Sequence, residues 1–337
     1  MCAACERAAA ARLPIADGQG AAVPEPVGSR ESGIGRDELA AWVALHSVDG
    51  MGAATLARLL ARFGSPAAVL RASGQELGDV ARVPRLVQRG VEDAAGGLEG
   101  HRAVADRLAE QGVAAIRRGD RAYPARLHAL ASPPPLLYVV GRLPSDQRRT
   151  LGIVGTTHAS DHGRQVARAL ARALAAEGWV VVSGNARGID AAAHRGALEA
   201  DRPTIFVLPT GILQFRGRPG YPQGDRLWRR AAAVSEWHPE APWSTPAALA
   251  RNRVIAALSD VVLVVETRES GGAMTTLRHA IALGRRTFVV RFRAPSLSAA
   301  GNARAEAAGA QPVRSLRELE SLLARPRPPS GQQELRW

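Results

Sequence analysis

The chain has 337 residues, a formal net charge of +13 and a hydrophobic fraction of 46%. Its length allows one large domain with one or two smaller ones, and its positive charge favours an acidic partner such as nucleic acid. All 44 basic residues are arginines, which excludes a P-loop lysine, a Schiff-base lysine and a lysine general base. Arginines spread over solvated faces explain the same charge equally well.

No uninterrupted apolar run approaches the roughly 20 residues of a membrane helix, and the N-terminus lacks the apolar block of a secretory signal. We therefore expect a soluble, cytoplasmic protein with no membrane partner. Both cysteines, Cys2 and Cys5, lie at the start of the chain. No second pair completes a zinc site with them, so we expect no metal and no cofactor.

Residues 1–35 are rich in Ala, Gly and Pro without an apolar period, which predicts a disordered tail. A helical period then predicts a small helical domain over residues 36–112. Within it, Gly50 and Gly52 bracket a turn between two helices. This pattern resembles a helix-hairpin-helix (SAM-like) unit, whose backbone approaches phosphate. A plain helical hairpin closed by glycine fits the same residues.

A linker around Tyr123-Pro124 and three consecutive prolines follows, because prolines stop a helix. From Leu151, short apolar runs alternate with amphipathic helices, the pattern of a parallel sheet. We predict an α/β fold over residues 113–325, with a Rossmann-like, doubly wound, mostly parallel sheet. The predicted strands are LGIV, WVVVS, TIFVL, AAVSE, VVLVVE and TFVV.

A helical pair is predicted to end this domain near Leu323, and residues 326–337 to form a second disordered tail.

Three loops at the carboxyl ends of predicted strands combine small residues with hydroxyls and precede helices. They are the first loop (residues 155–160), the second loop (183–190) and the third loop (270–276). Ligands of doubly wound sheets bind at such ends, and helix N-termini favour anions. Three such loops indicate an extended anionic ligand. The missing G-x-G-x-x-G, and the missing acidic residue after the second strand, argue against a nicotinamide dinucleotide.

Three longer motifs occur in order: SGNARGIDAAAH from Ser183, ARNRVIAALSD from Ala250 and VVETRESGGAMTT from Val264. They resemble the patterns S-G-x-A-x-G-I-D-x-x-A-H, R-N-R-x-I-A-x-L-S and V-E-x-x-x-x-S-G-[SA]-x-x-T of the DNA-processing protein A (DprA/Smf) family. The resemblance covers about residues 38–325. It implies a protein that binds single-stranded DNA, forms a homodimer and loads a RecA-type recombinase during natural transformation. Because the residues offer no convincing catalytic constellation, we expect the protein not to be an enzyme.

Carried over position by position, the resemblance implies a set of residues that bind DNA or phosphate: Gly155, Thr156, Gly163, Arg164, Ser183, Gly184, Arg187, Gly188, Arg251, Arg253, Ser270, Gly271 and Thr275. Four further residues are expected to organise the loops: Asp190, His194, Asn252 and Glu266. Asp190 and His194 also fit relics of a catalytic site, but we favour helix capping and internal hydrogen bonds. No residue is assigned to catalysis or to a metal.

The chain departs from the family pattern in three places. Thr157 stands where the family usually has an arginine, so we expect that phosphate contact either to be missing or to be supplied by His158 or Arg164. The third motif is one residue short between Glu266 and Ser270, which makes its contacts the least specified. A C-terminal winged helix, present in many members, is not expected here.

The competing interpretation is an enzyme or a sensor. Nucleotide phosphoribohydrolases of the related lysine-decarboxylase-like (LOG) group share this kind of fold and carry P-G-G-x-G-T-x-x-E, in which the glutamate performs catalysis. This chain has SGGAMTTLR from Ser270, with Leu277 and Arg278 near the place of that acid. A nucleotide-binding sensor of the same superfamily remains the second alternative.

Overall fold

The computed structural model describes residues 34–325. The expected disorder of residues 326–337, the pair Cys2 and Cys5, and all but the last two residues of the predicted tail at 1–35 lie outside the described residues.

Between residues 34 and 325 the helices are α1 (Arg36–Ser47), α2 (Ala53–Phe63), α3 (Pro66–Arg71), α4 (Gly74–Gly78), α5 (Arg85–Gly96), α6 (Leu98–Glu110), α7 (Asp161–Ala176), α8 (Ile189–Glu199), α9 (Asp225–Trp228), α10 (Thr245–Leu258), α11 (Gly272–Ala282), α12 (Asn302–Ala307) and α13 (Leu316–Ala324). The strands are β1 (Ala114–Arg117), β2 (Leu136–Gly141), β3 (Thr150–Val154), β4 (Val180–Ser183), β5 (Thr204–Val207), β6 (Ala231–Ser235), β7 (Val261–Val264), β8 (Arg286–Val290) and β9 (Gln311–Val313).

The described residues form two compact units. The first contains the described residues up to Tyr123 together with Ala131–Leu143 and Leu208–Ser244. The second contains Pro124–Leu130, Pro144–Val207 and the described residues from Thr245 onward.

Helix α1 is the centre of the helical part of the first unit. Its residues Ala40–Leu45 are all buried, and it packs against α3, α5 and α6. Helix α2 buries Leu56 and Leu59 and ends at Gly64, whose φ of +83° favours glycine. The predicted N-terminal helical region is confirmed. The helix-hairpin-helix identity of α1 and α2 stays a prediction.

The predicted linker contains two strands of the first unit. Strand β1 pairs antiparallel with β2, and β2 pairs antiparallel with β6. Tyr138 of β2 is fully buried, and its hydroxyl lies 2.9 Å from Nδ1 of His46 on α1. These strands pair at long range, so a local periodicity did not reveal them.

The strands of the second unit are all parallel, in the order β5-β4-β3-β7-β8-β9. The chain order runs outward from the centre, from β3 to β5 on one side and from β7 to β9 on the other. This is the strand order of a Rossmann-like fold, and its topological switch point lies between β3 and β7. The predicted α/β class with a mostly parallel sheet is confirmed.

Helices cover both faces of the sheet in the second unit. Helix α7 buries Ala167, Leu170, Ala171 and Leu174, spaced three and one apart along one face. Together with α8 it packs on the face that carries Leu151 and other apolar residues of β3, β4, β7 and β8. Helix α10 packs on the other face of β3, which makes the sheet doubly wound.

The end of the second unit differs from the predicted helical pair, because the short strand β9 separates α12 from α13. Strand β9 has three residues and contains Pro312. Proline cannot donate to a strand ladder and is tolerated at a sheet edge, so a strand could not be predicted there from local pattern. Within residues 34–325 no helix combines the length and the apolar character needed to cross a bilayer.

Candidate nucleic-acid interface

The three predicted loops follow β3, β4 and β7, which are neighbours in the sheet. Backbone hydrogen bonds join them: the N–H of Thr156 donates to the carbonyl of Glu266 at 2.7 Å, and the N–H of Ile189 donates to the carbonyl of Thr156 at 3.3 Å. The first loop therefore lies between the other two at the switch point, where ligands of this fold class bind.

Two predicted glycines allow this close packing. A Cβ atom at Gly155 would lie 2.7 Å from the carbonyl oxygen of Glu266, and one at Gly188 would overlap the carbonyl oxygen of Thr156. Gly188 also has a φ of +77°, a conformation that side chains disfavour. Both residues are needed for the approach of the loops to one another.

Glu266 ties the first loop to the segment after β8. Its carboxylate accepts hydrogen bonds from the N–H and the hydroxyl of Ser160 at 2.8 and 2.6 Å, and from the hydroxyls of Ser296 and Ser298 at 2.9 Å each. Burial acts to raise the pKa of Glu266, but these hydrogen bonds outweigh it and lower the pKa. The carboxylate is therefore charged and held inside the loop structure.

The side chains of Ser160 and Glu266 fill the space at the N-terminus of α7. Ser160 caps the helix by accepting from the N–H of Gly163 at 2.9 Å. A Cβ atom at Gly163 would overlap the carboxylate of Glu266. Arg164 is exposed and donates to the carboxylate of Asp161 and to the carbonyl of Ala159. The phosphate contacts of Gly163 and Arg164 stay predictions.

Thr156 is buried, and its hydroxyl accepts from the N–H of His158 at 3.2 Å. Thr157 and His158 are exposed, with 3.0 Å between the Thr157 hydroxyl and Nδ1 of His158. The exposed residues of the first loop therefore present a hydroxyl and an imidazole to solvent.

The second loop is organised by Asp190. Its carboxylate accepts from the N–H groups of Gly184 and Ala186 at 3.1 and 3.4 Å. Burial raises the pKa of Asp190, against the opposing effects of Arg251 and of these N–H groups. Ser183 is buried, and its hydroxyl donates to the carbonyl of Ile153 at 2.6 Å.

Arg187 is the exposed cation of the second loop. Among residues 34–325 no hydrogen bond or ion pair of its side chain is seen. Its guanidinium is available to a ligand from solvent.

Arg251 lies on α10 and is buried, with 6% of its surface accessible. Its guanidinium packs against Gly184 and donates to the carbonyl of Val207. Burial lowers the pKa of Arg251 to about 10, while Asp190 acts in the opposite direction, so the side chain is charged at neutral pH. The contacts of Arg251 in the structure are internal. Its contact with phosphate stays a prediction.

Helix α10 also supports the third loop. The amide of Asn252 donates to the carbonyl of Gly272 at 3.1 Å, and the next residue, Arg253, is half-buried. Ser270 and Gly271 are exposed. Helix α11 starts there without a side-chain cap, and its first residue, Gly272, is exposed. The hydroxyl of Thr275 accepts from Arg278 at 3.3 Å.

His194 lies apart from the three loops. It is fully buried, its Nδ1 lies 2.7 Å from the hydroxyl of Thr204, and its ring packs on Phe206 with centroids 4.1 Å apart. Both contacts join α8 to strand β5 in the interior of the unit.

The sequence did not reveal three residues that build the site. Ser296 and Ser298 hold Glu266, and only the Ser-x-Ser spacing in a Pro/Ser-rich turn hinted at a paired contact. Asn302 accepts from the N–H of Thr267 at 2.9 Å and donates to the carbonyl of Val265 at 2.8 Å. A lone asparagine after a glycine gives no such signal.

Comparisons with known proteins place this geometry in a family. The profile of the family described as DNA recombination-mediator protein A matches residues 114–324. The chain belongs to that family. The match spans β1 to α13 and therefore includes all three loops of the candidate site.

Three relatives show how far the likeness extends. The DNA processing protein DprA of Bacillus subtilis (strain 168) is 34% identical over 185 residues, which are 54% of this chain and 61% of that protein. The structure of DNA processing protein A from Streptococcus pneumoniae matches with a TM-score of 0.69 at 22% identity, covering 84% of this chain and 97% of that one. Because the sequence identity is low, this match shows only that the two proteins share a fold.

A structure of DNA processing protein A from Helicobacter pylori, which concerns the single-stranded DNA binding mode of that protein, is 28% identical with a TM-score of 0.53. It covers 63% of this chain and 95% of that one. The chain thus spans about three fifths of its B. subtilis relative and almost the whole of the two compared structures.

Proposed function

We propose that the second unit binds single-stranded DNA by its sugar-phosphate backbone at the switch point between β3 and β7. The observation that carries this proposal is the convergence of three loops on three adjacent strands. Helices α8 and α11 begin there without side-chain caps, so their N–H groups and dipoles favour an anion. The H. pylori family member, described for its single-stranded DNA binding mode, supports DNA as that anion.

The exposed groups of the loops suit a chain of phosphates. Thr157 and Ser270 offer hydroxyls, and Arg187 offers a planar fork that holds a phosphate through two hydrogen bonds. A flexible single strand can follow three loops in succession, whereas a duplex holds its phosphates on a rigid helix. We therefore expect a preference for single strands.

We further propose that the protein acts in natural transformation or recombination by protecting single-stranded DNA and loading a RecA-type recombinase, and that it works as a cytoplasmic homodimer. Family resemblance supports these finer roles.

We also propose that the protein is not a hydrolase. Leu277, which is buried, and Arg278 lie near the position of the catalytic acid of the LOG-like enzymes, while Glu266 is engaged by three serines.

A titration tests the proposal. Fluorescent oligothymidine, a duplex of equal length and single nucleotides are titrated with the full chain at several salt concentrations. We expect tighter binding of the single strand than of the duplex, and affinity that falls as salt rises because phosphate contacts release counterions. Equal affinity for duplex and single strand would contradict the proposal. Tight binding of a mononucleotide with none of the oligomer would favour the nucleotide-sensor alternative.

A further inference from the structure

Leu297 is 94% exposed, more than Leu86, Trp243, Leu249 and Ile281, the other exposed large apolar side chains of residues 34–325. It lies in the second unit, in the loop after β8, where it begins a short 3₁₀ turn (Leu297–Ala299). Burying a leucine is favourable and exposing it is not. Packing within the unit therefore covers almost none of this side chain.

The loop that carries Leu297 is firmly held. The hydroxyls of its two neighbours, Ser296 and Ser298, both donate to the carboxylate of Glu266 at 2.9 Å. Just beyond, the N–H of Gly301 donates to the carbonyl of Thr267 at 2.8 Å. With the residue anchored on both sides, its side chain is directed outward by the loop itself.

This position adjoins the candidate site. The Glu266 carboxylate that holds the Leu297 loop also accepts from Ser160 of the first loop and touches the start of α7. His162 is exposed in the first turn of α7, and its ring packs edge-on against Phe292 with centroids 5.4 Å apart. We call His162 and Leu297 the rim, since both adjoin the residues around this carboxylate.

We propose that the rim contacts the bases of the strand whose phosphates lie on the three loops, with Leu297 packing on a base face. This inference rests on the proposed function. The loops offer hydrogen-bond donors suited to phosphate, whereas the faces of bases are flat and apolar and need a different surface. Leucine has no hydrogen-bonding group, so the contact adds affinity for any base and does not read sequence.

An abasic oligomer separates base contacts from phosphate contacts. The full chain is titrated with a labelled oligothymidine and with an abasic oligomer of the same number of phosphates. Leu297→Asn is expected to weaken oligothymidine binding about 5–10-fold and to leave abasic binding unchanged, and His162→Ala is expected to act in the same direction. The salt dependence of oligothymidine binding should not change, because no phosphate contact is lost.

Leu86→Asn is the matched control, because Leu86 is a leucine of the first unit that is 64% exposed. It should change neither affinity. If Leu297→Asn leaves oligothymidine binding unchanged, or weakens both oligomers equally, the rim proposal is overturned while the proposed function stands. If the unmutated protein binds neither oligomer, the proposed function is overturned and the rim proposal with it.

Discussion

The guanidinium of Arg251 packs directly on the backbone of Gly184, in space that a Cβ atom at position 184 would occupy. This contact joins α10 to the second loop and brings the positive charge near the carboxylate of Asp190. Arg251, one of the two arginines of the R-N-R motif predicted to bind phosphate, is therefore also a buried structural group.

We expect Gly184→Ala to destabilise the protein, because the added methyl group displaces the guanidinium of Arg251 and weakens its hydrogen bond to Val207. Overpacking of this kind costs about 1–3 kcal/mol, measured by urea unfolding. Gly271→Ala is the control, because a Cβ there meets nothing within 4 Å. Equal stability of both variants would show that Arg251 moves aside freely.

The arginines of the site should separate into two classes. Arg251→Ala removes a buried guanidinium and leaves the carbonyl of Val207 without its donor, so it should lower the free energy of unfolding by about 1–3 kcal/mol, the cost of an unsatisfied buried group. Arg187→Ala should leave stability within about 0.5 kcal/mol. It should instead weaken oligothymidine binding by about 1–3 kcal/mol, as for a lost charge-assisted hydrogen bond.

Arg62, exposed on α2 in the first unit, provides the control for charge. Arg62→Ala should change binding by less than about 0.5 kcal/mol. Losses at Arg62 as large as at Arg187 would indicate a diffuse basic surface in place of a site on the three loops.

Arg187 is exposed and Arg251 is buried. This difference shows which features can be predicted from the sequence and which cannot. The short apolar runs predicted the parallel strands of the second unit except β9, and the small residues after them predicted the three loops, because both signals are local. The burial of Arg251 depends on Gly184 and Val207, which are distant in sequence, and no local pattern encodes it. The same holds for the serines that bind Glu266 and for the antiparallel strands β1 and β2.

Glu266→Gln should destabilise the loops at neutral pH. An amide cannot accept hydrogen bonds at both ends, so at least one donor among Ser160, Ser296 and Ser298 loses its partner, at a cost of about 1–3 kcal/mol. The pKa of Glu266 is lower in the folded chain than its ordinary value of 4.5. Its charge therefore stabilises the fold above that value, and this contribution is lost as the pH falls through the folded pKa.

Urea unfolding of the unmutated protein and of Glu266→Gln from pH 7 to pH 3 measures this difference. The gap in stability should narrow below about pH 4.5, the ordinary pKa of a glutamate. A gap that stays constant with pH would mean that the charge of Glu266 contributes nothing.

The first unit should lose stability in acid because of His46. This histidine on α1 is part of a core with Tyr138, and burial, with a smaller effect from His238, lowers the pKa of His46 to about 3 from its ordinary 6.5. Between these values the unfolded chain binds a proton that the folded chain does not. Stability therefore falls as the pH drops below 6.5, by about 1.4 kcal/mol per pH unit from this residue.

His46→Gln keeps an acceptor for Tyr138 without a titrating ring, so its stability should fall less steeply between pH 6.5 and pH 4. Urea unfolding of the unmutated protein and of His46→Gln across this range measures the slopes, and identical slopes would show that His46 is not the group responsible.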